Sequence, residues 1–172
     1  MGQTQRRLHE IAAPPSVLAV EAEGVHPFDA GRRVRGLPRG DALLHLDWHP
    51  GNLLVDEVAG DICGIVDWDN ARSGHPLLDL ARTHAMLTVD PALAALPGDV
   101  RGLLASFRDA WAAAYGPEAS SIPGRCHRWA GLVILADLAP RYADRPELLA
   151  PLCLWTDREP QGLSRAPDRR VT

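Results

Sequence analysis

Between Ala42 and Asp67 the apolar residues come in three short runs, ALLHL, LLVD and ICGIVDW, separated by DWHPGN and EVAGD. Short apolar runs bounded by Gly, Asp and Pro are strand signals, and they are too short for helices. The second and third runs predict a hairpin with strands over Leu53–Asp56 and Ile62–Asp67. Gly60 lies in its turn, where a positive φ costs glycine nothing. From Pro76 onward the spacing becomes helical. One small hairpin joined to a series of helices restricts the chain to an α+β, mostly helical class.

The helical part has clear punctuation. Leu77, Leu80, Ala81 and His84 follow helical spacing behind Pro76, a residue suited to a first turn. Asp99–Tyr115 carries an apolar stripe of Val100, Leu103, Leu104, Phe107, Trp111, Ala114 and Tyr115, with Asp99 as the expected cap and Gly116-Pro117 as the stop. Arg125–Ala139 is apolar almost all round and predicts a buried helix, and Glu147–Trp155 predicts a last short one. Upstream, Thr4–Ala12 reads as a short helix stopped by Pro14-Pro15, and 16–40 reads as loop. The 172 residues therefore divide into one domain over 1–155 and a polar, flexible tail over 156–172.

Composition excludes several classes. A net charge of −4 argues against nucleic-acid binding through overall basicity. No apolar run approaches the ~20 residues of a membrane helix, and the N-terminus lacks a signal-peptide core, so the expected location is the cytoplasm. Cys63, Cys126 and Cys153 are dispersed, which fits reduced thiols and neither disulfides nor zinc. Every basic side chain is arginine, lysine is absent, and Asn52 and Asn70 are the two asparagines. The Ala, Arg, Gly, Pro and Leu bias fits coding in a GC-rich bacterial genome.

The chemistry concentrates in His45-x-Asp47-x-x-x-x-Asn52 and the later Asp67. Asp47 and Asn52 share one loop, and the hairpin that starts after Asn52 returns at Asp67. An amide oxygen and a carboxylate facing one site are hard oxygen ligands that suit Mg²⁺. Asp47 beside them is placed to accept a proton from a hydroxyl. A metal clamp with an orienting carboxylate is what phosphoryl transfer requires. Zinc binding by His45, Asp47 and His49 is a minor alternative, because no further cluster has ligand spacing. His84 reads as a satisfied packing histidine, Trp111 and Trp129 as core, Asp69 as an exposed loop carboxylate, and Arg32, Arg33, Arg35 and Arg39 as a solvated face.

LHLDWHPGNLLV resembles the catalytic loop of the aminoglycoside phosphotransferase and choline kinase-like family, usually H-G-D-x-H-P-x-N followed by apolar residues. GIVDWDNARSGHPLLDLAR resembles its metal-binding segment, a strand ending in D-W and a helix bearing D-L-A. RRLHEIAAPP resembles the first helix of the family's C-terminal lobe. The resemblance implies the C-terminal lobe of a protein kinase-like fold. It implies transfer of a phosphoryl group from ATP or GTP, with Mg²⁺, to a hydroxyl of a small molecule. Asp47 becomes the catalytic carboxylate, Asn52 and Asp67 the metal and nucleotide ligands. His45 joins the catalytic set by bracing the loop with His49, and Asp79 anchors it.

Leu46 stands where glycine is usual, which a negative φ would tolerate. His75 stands where an acidic residue is common. The nine residues between Asp67 and Leu77 leave no room for a phosphorylatable activation segment, so a protein substrate is not expected. The family's N-terminal lobe, with its phosphate-binding lysine, has no counterpart here. The expectation is a lobe with its partner lobe missing, a poor kinase alone, whose exposed apolar face favours self-association or a partner chain. The alternative is a truncated, non-catalytic relic or binding module.

Overall fold

The computed structural model describes residues 1–17, 19, 34 and 36–157. Within these, helix α1 spans Gly2–His9 and is followed by strand β1, Ala42–Leu44. A 3₁₀ turn, Pro50–Asn52, leads into strands β2, Leu53–Val55, and β3, Ile62–Ile65. Strand β4, Arg72–Gly74, precedes helices α2 Pro76–Val89, α3 Pro91–Ala94, α4 Gly98–Tyr115, α5 Pro117–Ser120, α6 Gly124–Leu138 and α7 Ala150–Asp157. The class is mixed α/β and mostly helical, as the spacing predicts. Of the predicted loop over 16–40, residues 16, 17, 19, 34 and 36–40 are described, and Arg32, Arg33 and Arg35 lie outside the described residues.

The hairpin pairs Leu53 with Ile65 and Leu54 with Gly64, and Gly60 takes φ +72 in its turn. A second antiparallel ladder pairs β1 with β4, Leu44 opposite Arg72 and Ala42 opposite Gly74. This ladder is absent from the sequence reading, because Arg-Ser-Gly carries no apolar signal. It closes residues 45–71 into one loop held at its base.

Helix α2 is buried on several faces and organises the core. Leu78 and Ala81 pack with Leu44, Leu46, Cys126, Trp129 and Val133. Leu80 and Leu87 meet Trp111, Tyr115 and Ala119. Ala85 meets Ile134 and Leu152 of α6 and α7. Trp111 and Trp129 are core residues, as expected.

Other expectations change. The α4 stripe docks by its C-terminal half only: Trp111 and Tyr115 are buried, whereas Leu103 is 70% exposed. Asp99 does not cap; Pro97 holds the N-cap position without a side-chain bond. The last predicted helix is a 3₁₀ turn, Pro146–Leu149, running into α7. Thr156 and Asp157, assigned to the tail, belong to α7, and Thr156 is buried. Its hydroxyl donates to the Leu152 carbonyl at 2.7 Å. Thr156 seats against Gly131 so closely that a Cβ at Gly131 would collide with it. The rest of the tail lies outside the described residues.

Candidate active site

The loop after β1 begins with buried His45 and Leu46. Leu46 has φ +59, not the negative value that would suit a leucine in place of glycine. A side chain in the left-handed region costs about 1–2 kcal/mol. Two features hold it there. Its side chain is buried in the main core cluster, and its N–H donates to Asp79 Oδ1 at 2.8 Å. Asp79 Oδ2 accepts from the His45 N–H at 3.2 Å and from His9 Nε2 at 2.9 Å. His9 Nδ1 meets the Tyr115 hydroxyl at 2.8 Å. Burial pushes the Asp79 carboxyl up, but the His9 and Leu46 hydrogen bonds and the charge of His9 outweigh it and hold it below the usual range. Burial lifts the Tyr115 hydroxyl to about 12.

Sequence reasoning identifies Asp79 as an anchor and misses His9 and Tyr115. The motif RRLHEI carries His9, but nothing in the sequence signals that α1 and α4 meet at Asp79.

His45 uses both ring nitrogens on backbone. Nε2–H donates to the Val66 carbonyl at 3.0 Å, which leaves Nδ1 to accept the Asp47 N–H at 3.2 Å. Its ring lies against Trp48 and Trp68. It therefore ties the two strands of site-bearing chain together and cannot also ligate zinc. Among the described residues no three His, Cys, Asp or Glu groups are arranged to hold a metal ion.

Asp47 is half-buried beyond this brace. Asn52 Nδ2 donates to its carbonyl at 2.9 Å and to its Oδ2 at 3.1 Å. His49 caps the 3₁₀ turn through Nδ1, which accepts the Gly51 N–H, and turns Nε2 to 3.7 Å from Asp47 Oδ2. That separation is long for a hydrogen bond, but because Nδ1 accepts from Gly51 the ring presents its Nε2–H to the carboxylate. His49 by hydrogen bonding and charge, with Arg82 and Asn52, holds the Asp47 carboxyl below the usual range against burial. In return Asp47 raises His49.

Asn52 is buried, and both donations of its amide nitrogen fix the group toward Asp47. Its Oδ1 makes no hydrogen bond and stays accessible. The Val66 N–H donates to the Asn52 carbonyl at 3.0 Å, so the hairpin register sets Asn52 opposite Val66 and next to Asp67. Asp67 is exposed with φ +61, and its charge acts on His49. The hairpin thus returns Asp67 to the neighbourhood of the loop that carries Asp47 and Asn52. An accessible amide oxygen beside an unbuttressed carboxylate fits a hard divalent cation. Asp69 is exposed, as expected. His75 caps α2, accepting the Leu77 N–H at 3.2 Å.

The model of the phosphotransferase enzyme family, APH, matches residues 31–125, more than half of the chain. The chain belongs to the phosphotransferase enzyme family. The matched span holds His45, Asp47, Asn52, Asp67 and Asp79, together with α2 and α4, and leaves out α1, α7 and all but the start of α6. No curated protein and no solved structure matches the chain. Family membership supports a phosphotransferase-like, kinase-type function, and the family generally uses ATP and Mg²⁺. No helix among the described residues is long and apolar enough to cross a membrane.

Proposed function

We propose that residues 1–155 form the catalytic-loop lobe of a protein kinase-like phosphotransferase, which transfers the γ-phosphoryl group of ATP or GTP to a hydroxyl of a small molecule. The observation that carries this reading is the Asp47 carboxylate. It is kept ionised and aimed by Asn52 and His49, on a loop locked from beneath by Asp79. An acceptor hydroxyl hydrogen-bonded to Asp47 would pass its proton there as the oxygen attacks phosphorus. Asn52 and Asp67 would hold Mg²⁺, which when bound neutralises phosphate charge. Asn52 serves twice, since the amide that positions Asp47 also presents Oδ1 outward. His45 acts through the backbone as a brace.

The triphosphate needs further groups. Catalysis in this chemistry is mainly positioning and charge stabilisation, and a second lobe with a lysine is the usual source. The chain has no lysine. Leu54, Val55, Val58, Val66 and Trp68 are exposed on and beside the hairpin, an apolar surface that supports its being covered by a second lobe or a partner chain. The chain alone is therefore expected to be a very poor kinase.

The deciding experiment is ATP and GTP turnover by the chain, alone and joined to the lobe encoded upstream if one exists in frame. Asp47→Asn should fold normally and lose roughly 10²–10⁴ in rate in the active form. Near-full turnover in that variant overturns the role of Asp47, and robust turnover by the chain alone overturns the half-enzyme reading. Mn²⁺–nucleotide affinity should fall in Asp67→Ala, as read by paramagnetic relaxation, and an unchanged affinity removes Asp67 from the metal site. A relic would bind nucleotide weakly and show no Asp47-dependent turnover in any form.

A further inference from the structure

The seam between α2 and α6 holds a second histidine pair, remote from the uses described above. His84 of α2 and His127 of α6 have ring centres 5.1 Å apart at 63°. Trp155 of α7 packs on both, nearly parallel to His84 and edge-on to His127. Each Nδ1 is sealed from solvent with no hydrogen-bond partner. Neither Nε2 makes a hydrogen bond, and neither is sealed. Both rings line a cavity of about 350 Å³ with Arg108, Asp109 and Ser120. His84 is therefore not the satisfied packing histidine that its helical position suggests.

Two neutral imidazoles with accessible lone pairs opening on one cavity are a donor set for late first-row metals. Burial keeps both rings neutral at pH 7, His84 at about 4. The spacing also fits. A metal–nitrogen bond of about 2.1 Å, plus roughly 1.1 Å from nitrogen to ring centre, puts each ring centre ~3.2 Å from an ion. A tetrahedral angle then separates the two centres by ~5.2 Å, close to the observed 5.1 Å. Arg108 and Asp109 on the same wall pair with each other, Asp109 Oδ1 accepting from Arg108 Nε and Nη2 at 3.0 and 2.8 Å, and both charges act on His84, Arg108 against its protonation and Asp109 for it.

We propose that His84 and His127 form a site for a late first-row divalent ion (Zn²⁺, Ni²⁺ or Cu²⁺), bound by two imidazoles and completed by water in the cavity that α2, α4, α5 and α6 enclose. The site is distinct from Asn52 and Asp67 and does not depend on the proposed phosphoryl transfer. Two protein donors carry it. Because neither Nδ1–H has an acceptor, the rings lack the outer support that is commonly worth 10–100-fold in affinity, so binding should be micromolar. An ion there would pin α2 to α6.

The experiment is Zn²⁺ and Ni²⁺ titration of the full chain at pH 7.5 in excess Mg²⁺, by calorimetry and by histidine-ring ¹H–¹⁵N spectra. One ion per chain should move two imidazoles together, and Asp67→Ala should bind equally well. His84→Gln and His127→Gln should each weaken binding at least tenfold. No binding overturns the proposal, as does undiminished binding in folded glutamine variants. If either variant fails to fold, a chain carrying His49→Gln and His75→Gln decides. Two rings that still shift together at one equivalent of Zn²⁺ support the pair, and loss of binding assigns the metal to those outer histidines and overturns it.

Discussion

Helix α2 holds polar groups at its first turn and at its middle, and treats them in opposite ways. At its first turn Asp79 accepts from Leu46, His45 and His9, and Tyr115 completes His9. Five residues on, His84 faces His127 with neither Nδ1 bonded. A buried polar group with partners stiffens its surroundings, and one without partners costs desolvation free energy. The first fixes a strained backbone in the loop that carries Asp47. The second leaves two ring nitrogens unpaired and helps to keep both imidazoles neutral. Burial alone therefore does not tell a scaffold histidine from a receptive one; the partners do.

The sharpest way to break this contrast is Asp79→Ala. It strips the acceptor from three buried donors, which should cost about 3–5 kcal/mol in urea unfolding at pH 7. A loss below about 1 kcal/mol would mean that the network is not a clamp.

Acid separates the two points by pH. His84 is held at about 4 in the folded state, well below its ordinary 6.5. The unfolded chain therefore takes up a proton first, and stability should fall as pH drops from about 6.5 to about 4, then level off for this group. The loss should be roughly 1–3 kcal/mol, with His127 acting in the same direction. Asp79, depressed from 3.8, loses its contribution only below that value. His84→Leu should flatten the upper step in a pH series of urea midpoints and leave the lower one. One merged step, insensitive to that substitution, erases the distinction.

The smallest effect belongs to Tyr115→Phe. It removes one hydroxyl from His9 and should cost about 1–2 kcal/mol, with the Asp79 bonds intact. A loss as large as that of Asp79→Ala would show that the clamp is carried by α4.

What the sequence reveals follows from where physical signals are local. Gly60 and the two apolar runs announce the hairpin, and its register delivers Asn52 beside Asp67. The Asp47 and Asn52 motif is likewise local, within one loop. The misses are non-local. Strand β4 is Arg-Ser-Gly and becomes a strand only because β1 offers a ladder. Leu103 has the spacing of a core residue, but α4 docks by its other half. Leu46 takes a glycine's conformation because Asp79, 33 residues away, accepts its N–H. His9 and Tyr115 meet across 106 residues of chain.

The β1–β4 ladder has a consequence for inheritance. Its three rungs gather residues 45–71, and with them Asp47, Asn52 and Asp67, into a cassette whose ends lie side by side. The helices meet that cassette mainly at its base, through Leu46 and Asp79, while its tip, around the 98% exposed Val58, points away from them. Lengthening a loop that is already closed adds little, since each doubling costs only about 0.6 kcal/mol. Insertions at the tip can therefore accumulate without disturbing the register below, and the surrounding helices can diverge around a constant base. Such a unit is one that recombination could move whole, its chemistry travelling with two short strands.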